Sequence, residues 1–208
     1  MRSFELARKV EDKKVVTEIN EEGKEVEVLA YPSAQLPEYQ TKYAAGADFF
    51  AAETVVIPSI WKSVFSSFVS KTGEKMDNLV QSAMKHFGYT KEENNKKKVD
   101  IVPTMVHTGI KACMEDDEVL ELYNRSSNPG KRGLILANSV GVIDKDFYNN
   151  ESDDGEIRFA FYNFKLWDVT INEGDRIGQG VFKKVLRPVE GLRVKDIERT
   201  GGIGSTNK

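Results

Sequence analysis

Residues 155–163 read GEIRFAFYN, and the rhythm of that stretch decides the fold. Ile157, Phe159 and Phe161 fall on every second position between smaller or polar residues, which is the period of a strand with one buried face. The same rhythm extends outward. EVEVLA at 25–30 alternates Val26 and Val28 with acids, and further strand-like runs lie at 53–57, 99–106, 118–123, 132–137, 168–171 and 176–186. Clusters of Gly, Pro, Asn and Asp separate these runs, which predicts an all-β body: an antiparallel sandwich, jelly roll or barrel.

One stretch breaks the pattern. Within 59–98, Ile60, Trp61, Val64, Phe65, Phe68 and Val69 recur at helical spacing, as do Met76, Leu79, Val80, Ala83, Met84 and Phe87. Pro58 and Ser59 supply a start, Thr72 and Gly73 an end, and Gly88 a left-handed cap. A helical hairpin inserted into the β body is therefore expected over 59–98, with KEENNKKK at 91–98 as its solvated return. Its apolar stripe fits packing between the two helices and against the body; a face that binds a protein partner is the alternative.

The chain has 208 residues, 39% of them hydrophobic, which suits one domain with one core. Thirty Lys and Arg against 33 Asp and Glu leave a formal net charge of -3, which argues against general attraction to nucleic acid or an anionic membrane. An anion must then be gripped locally. Cys113 is the single cysteine, which excludes an internal disulfide framework and a cysteine-rich zinc site, and His86 and His107 are far apart, which argues against a histidine-based one; any metal is expected to be a hard ion held by oxygens. MRSFELARKVEDKK lacks the apolar core of a signal peptide, and nowhere do 18 apolar residues run together, so a soluble cytoplasmic protein is expected.

Five segments are polar, glycine-rich and read as turns: AAGADFFAAE (44–53), YNRSSNPGKRG (123–133), ANSVGVIDKDFYNN (137–150), NEGDRIGQGVF (172–182) and ERTGGIGSTNK (198–208). GGIGST offers unhindered backbone N–H groups and two hydroxyls with Arg199 just upstream, a set that suits phosphate oxygens. It lacks the lysine and helix of a Walker loop, and a glycine-rich tail is equally a flexible terminus. Arg125, Ser126 and Ser127 give another guanidinium with two hydroxyls, or else an exposed turn. Asp144 follows the apolar pair Val142 and Ile143, so its carboxylate belongs at a strand end, where it can accept a proton from water. Asp48 and Asp175 fit turn residues that bond their own backbone equally well. Gln179 interrupts an apolar strand and, if buried, needs a phosphate, a water or a protein group as partner.

In this order and spacing the five segments resemble the five motifs of the homotrimeric dUTPase family, enzymes that hydrolyse dUTP to dUMP and pyrophosphate. The resemblance covers the chain apart from the 59–98 hairpin and the N-terminal strand region. GVIDKDF, preceded by Asn138, and GDRIGQ are its most specific parts. It implies a β jelly roll and a homotrimer whose active sites are shared between subunits, with 198–208 as a flexible arm closing over the site. It also implies residue roles. Asp144 matches the aspartate that activates the water attacking the α-phosphorus, and Arg125 and Ser126, with Ser127 beside them, match the phosphate-contacting turn. Gln179 lies near the phosphates, and Arg199, Gly204, Ser205 and Thr206 match the clamping arm. Asn138 with Gly141, Val142 and Ile143 matches the hairpin that reads uracil. Asp48 matches the aspartate that reaches Mg2+ through water, the ion itself lying on the phosphates. The activity so implied limits uracil in DNA and supplies dUMP.

The sequence departs from the family pattern in two regions. Phe147 stands where the family has tyrosine, and 148–154 stand where it has one residue, so Phe147 or Tyr148 is expected to pack on the sugar. In the arm Ile203 replaces the aromatic residue, where a branched aliphatic still shields the base by contact, and Arg199 stands one residue nearer to the glycines than is usual. Two other readings compete: a dCTP deaminase on the same fold, disfavoured because Asp144 stands where a glutamate base would be needed, and a nucleotide-gated module that holds a protein partner through 59–98.

Overall fold

The computed structural model describes residues 2–64, 101–188 and 190. In chain order the strands are β1 (Ser3–Leu6), β2 (Val10–Glu11), β3 (Lys14–Val15), β4 (Thr17–Ile19), β5 (Glu25–Glu27), β6 (Ala47–Phe50), β7 (Val55–Ile57), β8 (Thr104–His107), β9 (Ile110–Cys113), β10 (Glu118–Asn124), β11 (Leu134–Leu136), β12 (Gly141–Ile143), β13 (Arg158–Asn163), β14 (Val169–Ile171) and β15 (Arg176–Lys184). Among the described residues they form a four-stranded sheet in the order β12-β10-β15-β6 and a three-stranded sheet β11-β13-β8. Two-stranded pairings β1-β9, β14-β7, β2-β3 and β4-β5 complete the set. This is the expected all-β, jelly-roll-like architecture.

The core follows from the alternation of β13. Phe159 and Phe161 turn fully inward from it, as does Ile157 just before it, while the residues between them are half-buried. Facing them are Phe49 of β6, Leu120 of β10 and Ile177 of β15, all fully buried. The rings of Phe49 and Phe159 lie 5.6 Å apart, and Phe4 of β1 meets Phe49 edge-on at 5.3 Å. Burying each such side chain contributes about 1.5–3 kcal/mol. Where β15 passes over Phe159 there is no room for a side chain: a Cβ on Gly178 would lie 2.0 Å from Phe159 Cε1. The register between β15 and β6 shifts at the same place, between Arg176 and Gly178.

Three expectations need correction. EVEVLA does form a strand over Glu25–Glu27, but β4 and β5 pair as a separate exposed ribbon, with Ile19 77% exposed, so the alternation of Val26 marks no buried face. The segments at 44–53 and 137–150 are not simply turns, because they contain β6 and β12. Ala47, Asp48 and Phe49 are all buried, and burial on both faces erases the two-residue period that a sequence reading depends on. The run 99–106 becomes a strand only at 104, and 99–100 lie outside the described residues.

The predicted helical start is present over 60–64. Ser59 caps it: its Oγ accepts the Trp61 backbone N–H at 3.2 Å and donates to the Lys165 carbonyl at 2.6 Å. The Trp61 indole N–H donates to the Phe164 carbonyl at 3.1 Å, and Lys62 pairs with Asp168 at 2.6 Å. The first turn is thereby tied to the β13–β14 connection. The rest of the expected hairpin, 65–98, lies outside the described residues, as does the arm at 198–208. No helix among the described residues is long and apolar enough to cross a membrane.

The tight passage of β15 over Phe159 is open to a direct check. Gly178→Ala is expected to destabilise the protein by about 1–3 kcal/mol through overpacking, read from urea unfolding midpoints. Phe159→Leu in the same chain should recover part of that loss, and wild-type stability in Gly178→Ala would contradict the described contact.

Candidate active site

Asp48 of β6 lies directly opposite Gln179 of β15 in the antiparallel register. Its side chain is only 2% exposed, and a buried carboxylate must be paired. Gln179 Nε2 donates to Oδ1 at 2.9 Å, Arg176 Nη1 donates to Oδ2 at 3.2 Å, and Arg125 Nε stands 3.9 Å from Oδ1. Arg125 in turn donates from Nη1 to the Arg176 carbonyl at 3.2 Å. The first, second and fourth segments thus meet on one carboxylate. The partner of Gln179 that the sequence left open is a protein group.

The turn that carries Arg125 and Ser126 is held from below. Buried Asn128 donates from Nδ2 to the Ile177 carbonyl at 2.8 Å and to Asn124 Oδ1 at 2.7 Å, at the head of a π-helical turn over Asn128–Arg132. Ser126 is exposed and Ser127 half-buried. Two guanidiniums and two hydroxyls around one anchored turn suit a multiply charged anion. The sequence reading missed Arg176 and Asn128. Arg176 was visible inside GDRIGQ, whereas Asn128 reads as an ordinary turn residue and reveals itself only through its backbone partners.

The third segment builds a different surface. β12 pairs with β10 on the sheet edge, Leu122 facing Gly141 and Leu120 facing Ile143. Gly141 is buried, Val142 and Asn138 are exposed, and Asp144 opens onto a cleft of about 750 Å³ that it lines with Lys145, Asp146, Tyr148, Asp116 and Arg187. Lys145 pairs with Asp116. Phe147 is 2% exposed and belongs to the interior, so the ring on the cleft is Tyr148.

These two surfaces lie at opposite ends of β10. Ile143 is paired with Leu120, so Asp144 comes beside Val119, whereas Arg125 follows Asn124 at the far end. The strand from Val119 to Arg125, at about 3.3 Å per residue, spans about 20 Å. Asp48 is on the opposite edge strand of the same sheet. Asp144 is therefore out of reach of the Arg125 turn in the same chain. Among the described residues no three His, Cys, Asp or Glu side chains converge on a point that would ligate a metal directly. Each Asp48 oxygen accepts one described hydrogen bond and a carboxylate oxygen can accept more, so this side chain fits an ion approached through water. Arg199, Ile203, Gly204, Ser205 and Thr206 lie outside the described residues.

A family model described as dUTPase matches residues 93–207. The deoxyuridine 5'-triphosphate nucleotidohydrolase of Lactococcus lactis is 49% identical over 102 residues, covering 49% of this chain and 68% of that protein. Its counterpart from Treponema pallidum is 30% identical over 185 residues, 87% of this chain and 96% of that protein. The crystal structure of the Streptococcus mutans dUTPase superposes with a TM-score of 0.55 at 29% identity, covering 90% of this chain and 98% of that one.

Removing the shared carboxylate tests the cluster. Asp48→Ala removes the charged acceptor shared by half-buried Gln179 and exposed Arg176 and is expected to cost about 1–3 kcal/mol, measured by urea unfolding. Calorimetry with inorganic pyrophosphate should show weaker binding in the same variant. Unchanged stability and affinity would mean that Asp48 does not organise Arg125, Arg176 and Gln179.

Proposed function

This chain belongs to the dUTPase family, and from that premise we propose that it hydrolyses dUTP to dUMP and pyrophosphate at composite sites shared between the copies of a homotrimer. The observation that carries the composite site is the separation of Asp144 from Arg125 along β10, because the chemistry needs both ends at one phosphorus. A cyclic assembly supplies the missing end from a neighbouring copy and leaves no site unfilled.

In this reading Asp144 orients a water and takes its proton as the water oxygen bonds to the α-phosphorus. The bond from that phosphorus to the bridging oxygen breaks, and pyrophosphate leaves with the electron pair. Arg125, Ser126 and Ser127 of the neighbouring copy receive the phosphate oxygens. Asp48 holds the Arg176 guanidinium and the Gln179 amide in place beside them, so a cation and a neutral donor are fixed before charge develops on the leaving group. Asp48 is the side chain that would hold a magnesium ion beside the phosphates, and the ion would supply neutralisation of the triphosphate. β12 is an edge strand, so its outer backbone N–H and C=O groups are available to pair with uracil as a base would, with Asn138 and the exposed Val142 flanking them. A methyl on the pyrimidine is rejected where that edge fits tightly. The family resemblance assigns Arg199, Gly204, Ser205 and Thr206 to the triphosphate and Ile203 to the base. The cell is thereby kept low in dUTP and supplied with dUMP.

A pair of inactive variants tests both the chemistry and the sharing. Asp144→Asn and Arg125→Ala should each lower pyrophosphate release from dUTP by a factor of about 10²–10⁴. Refolded together in equal amounts, they should regain about a quarter of the wild-type sites, because a neighbour of the other kind completes one site in four on average. A mixture that stays inactive would place both groups in one chain and overturn the composite site. Light scattering should give the mass of three chains.

A further inference from the structure

Tyr148 opens the stretch 148–154 that stands where the family has a single residue, and its ring lines the Asp144 cleft. Its hydroxyl donates to Glu5 Oε2 at 2.7 Å, and Lys111 Nζ stands 5.1 Å from the ring centroid. Glu5 of β1 and Lys111 of β9 are cross-strand partners in register, so one antiparallel pairing delivers both groups to the ring. Tyr148 is also a wall of a second, smaller cleft of about 270 Å³, lined with Glu5, Arg8, Lys111 and Asn149. It forms the partition between the two.

The connection behind the ring is fastened as well. Lys111, 4% exposed, donates to Asn149 Oδ1 at 2.6 Å and to Asp154 Oδ2 at 2.8 Å. Buried Asp154 also accepts the Arg8 backbone N–H at 2.8 Å and the Arg8 guanidinium at 2.6 Å and 3.0 Å. Burial pushes the Asp154 carboxyl up, but the bonds from Arg8 and Lys111 outweigh it and hold the group below its ordinary range. Burial, reinforced by the Glu5 bond, pushes the Tyr148 hydroxyl up to about 12, so it remains a donor at neutral pH. The extra residues of 148–154 are therefore pinned at one end to Glu5 of β1 and at the other to Arg8, which follows β1, and to Lys111 of β9.

We infer that Glu5 is a positioning residue for sugar selectivity: by accepting the Tyr148 hydroxyl it fixes the ring against which a 2'-deoxyribose packs and a 2'-hydroxyl does not fit. The inference rests on the reading of the site as a dUTP-hydrolysing one. It assigns a part in substrate choice to a strand that the family resemblance leaves out, and it assigns the sugar contact to Tyr148 because Phe147 is in the core.

The experiment is a double-mutant cycle read as the ratio of kcat/KM for dUTP to that for UTP. Glu5→Ala and Tyr148→Phe each remove the same hydrogen bond, so each should lower the ratio about tenfold and the double variant should lower it no further. Glu5→Gln keeps an acceptor and should hold the ratio within about twofold. A merely structural role for Glu5 would lower activity on both substrates alike and leave the ratio intact, which would overturn the inference. So would a ratio that follows Phe147→Leu and ignores Glu5→Ala. A wild-type protein that releases no pyrophosphate from dUTP would overturn the proposed function together with this inference, whereas an active, selective wild type with an unmoved ratio in the variants would overturn the inference alone.

Discussion

The antiparallel pairing of β10 constrains everything chemical in this protein. On one side it holds β12, whose last residue precedes Asp144, and on the other it holds β15, which carries Arg176 and Gln179. β15 in turn sets Asp48 of β6 opposite Gln179. Because side chains repeat every second residue, a slip of one residue in either pairing would turn Gln179 away from Asp48 or Asp144 away from its cleft. The fully buried Leu120, Phe159 and Ile177 make such a slip costly, since it would move apolar side chains out of the core.

Much of this was legible in the sequence, and the reasons for the rest are physical. GEIRFAFYN announced β13 because its partners on one face are apolar and its other face is not, so the period survives. ADFF did not announce β6, since a strand covered on both faces has no period to read, and Asp48 inside it looked like a turn residue. EVEVLA misled in the opposite direction: its alternation is real, but no layer packs on the ribbon it forms. At the site, Asp144, Arg125 and Gln179 could be singled out by residue type and spacing. The choice between Phe147 and Tyr148 could not, because it depends on which ring the β12 turn directs inward. Nor could Glu5, Lys111 and Asn128, whose contacts with Tyr148 and with the Ile177 carbonyl span dozens of positions along the chain.

The polar interior behind the cleft shows how an extended loop can be kept rigid. Asp154 adopts a left-handed backbone with φ of 56°, which a residue other than glycine takes up at some cost. Its carboxylate is buried among three donor atoms of Arg8 and the ammonium of Lys111. Such a group contributes little net stability relative to an apolar replacement, but it accepts one arrangement of its partners and few others. Conformational uniqueness in 148–154 matters more than strength, because Tyr148 begins that segment and faces the cleft.

The length of β10 has one more consequence. A polypeptide whose base and whose cationic turn are held about 20 Å apart by a rigid strand cannot act alone under the composite reading, so mass action governs its competence. Dilution that dissolves the assembly silences every copy at once, without any change in a single fold, and a copy damaged at both ends spoils a neighbour's site as well as its own.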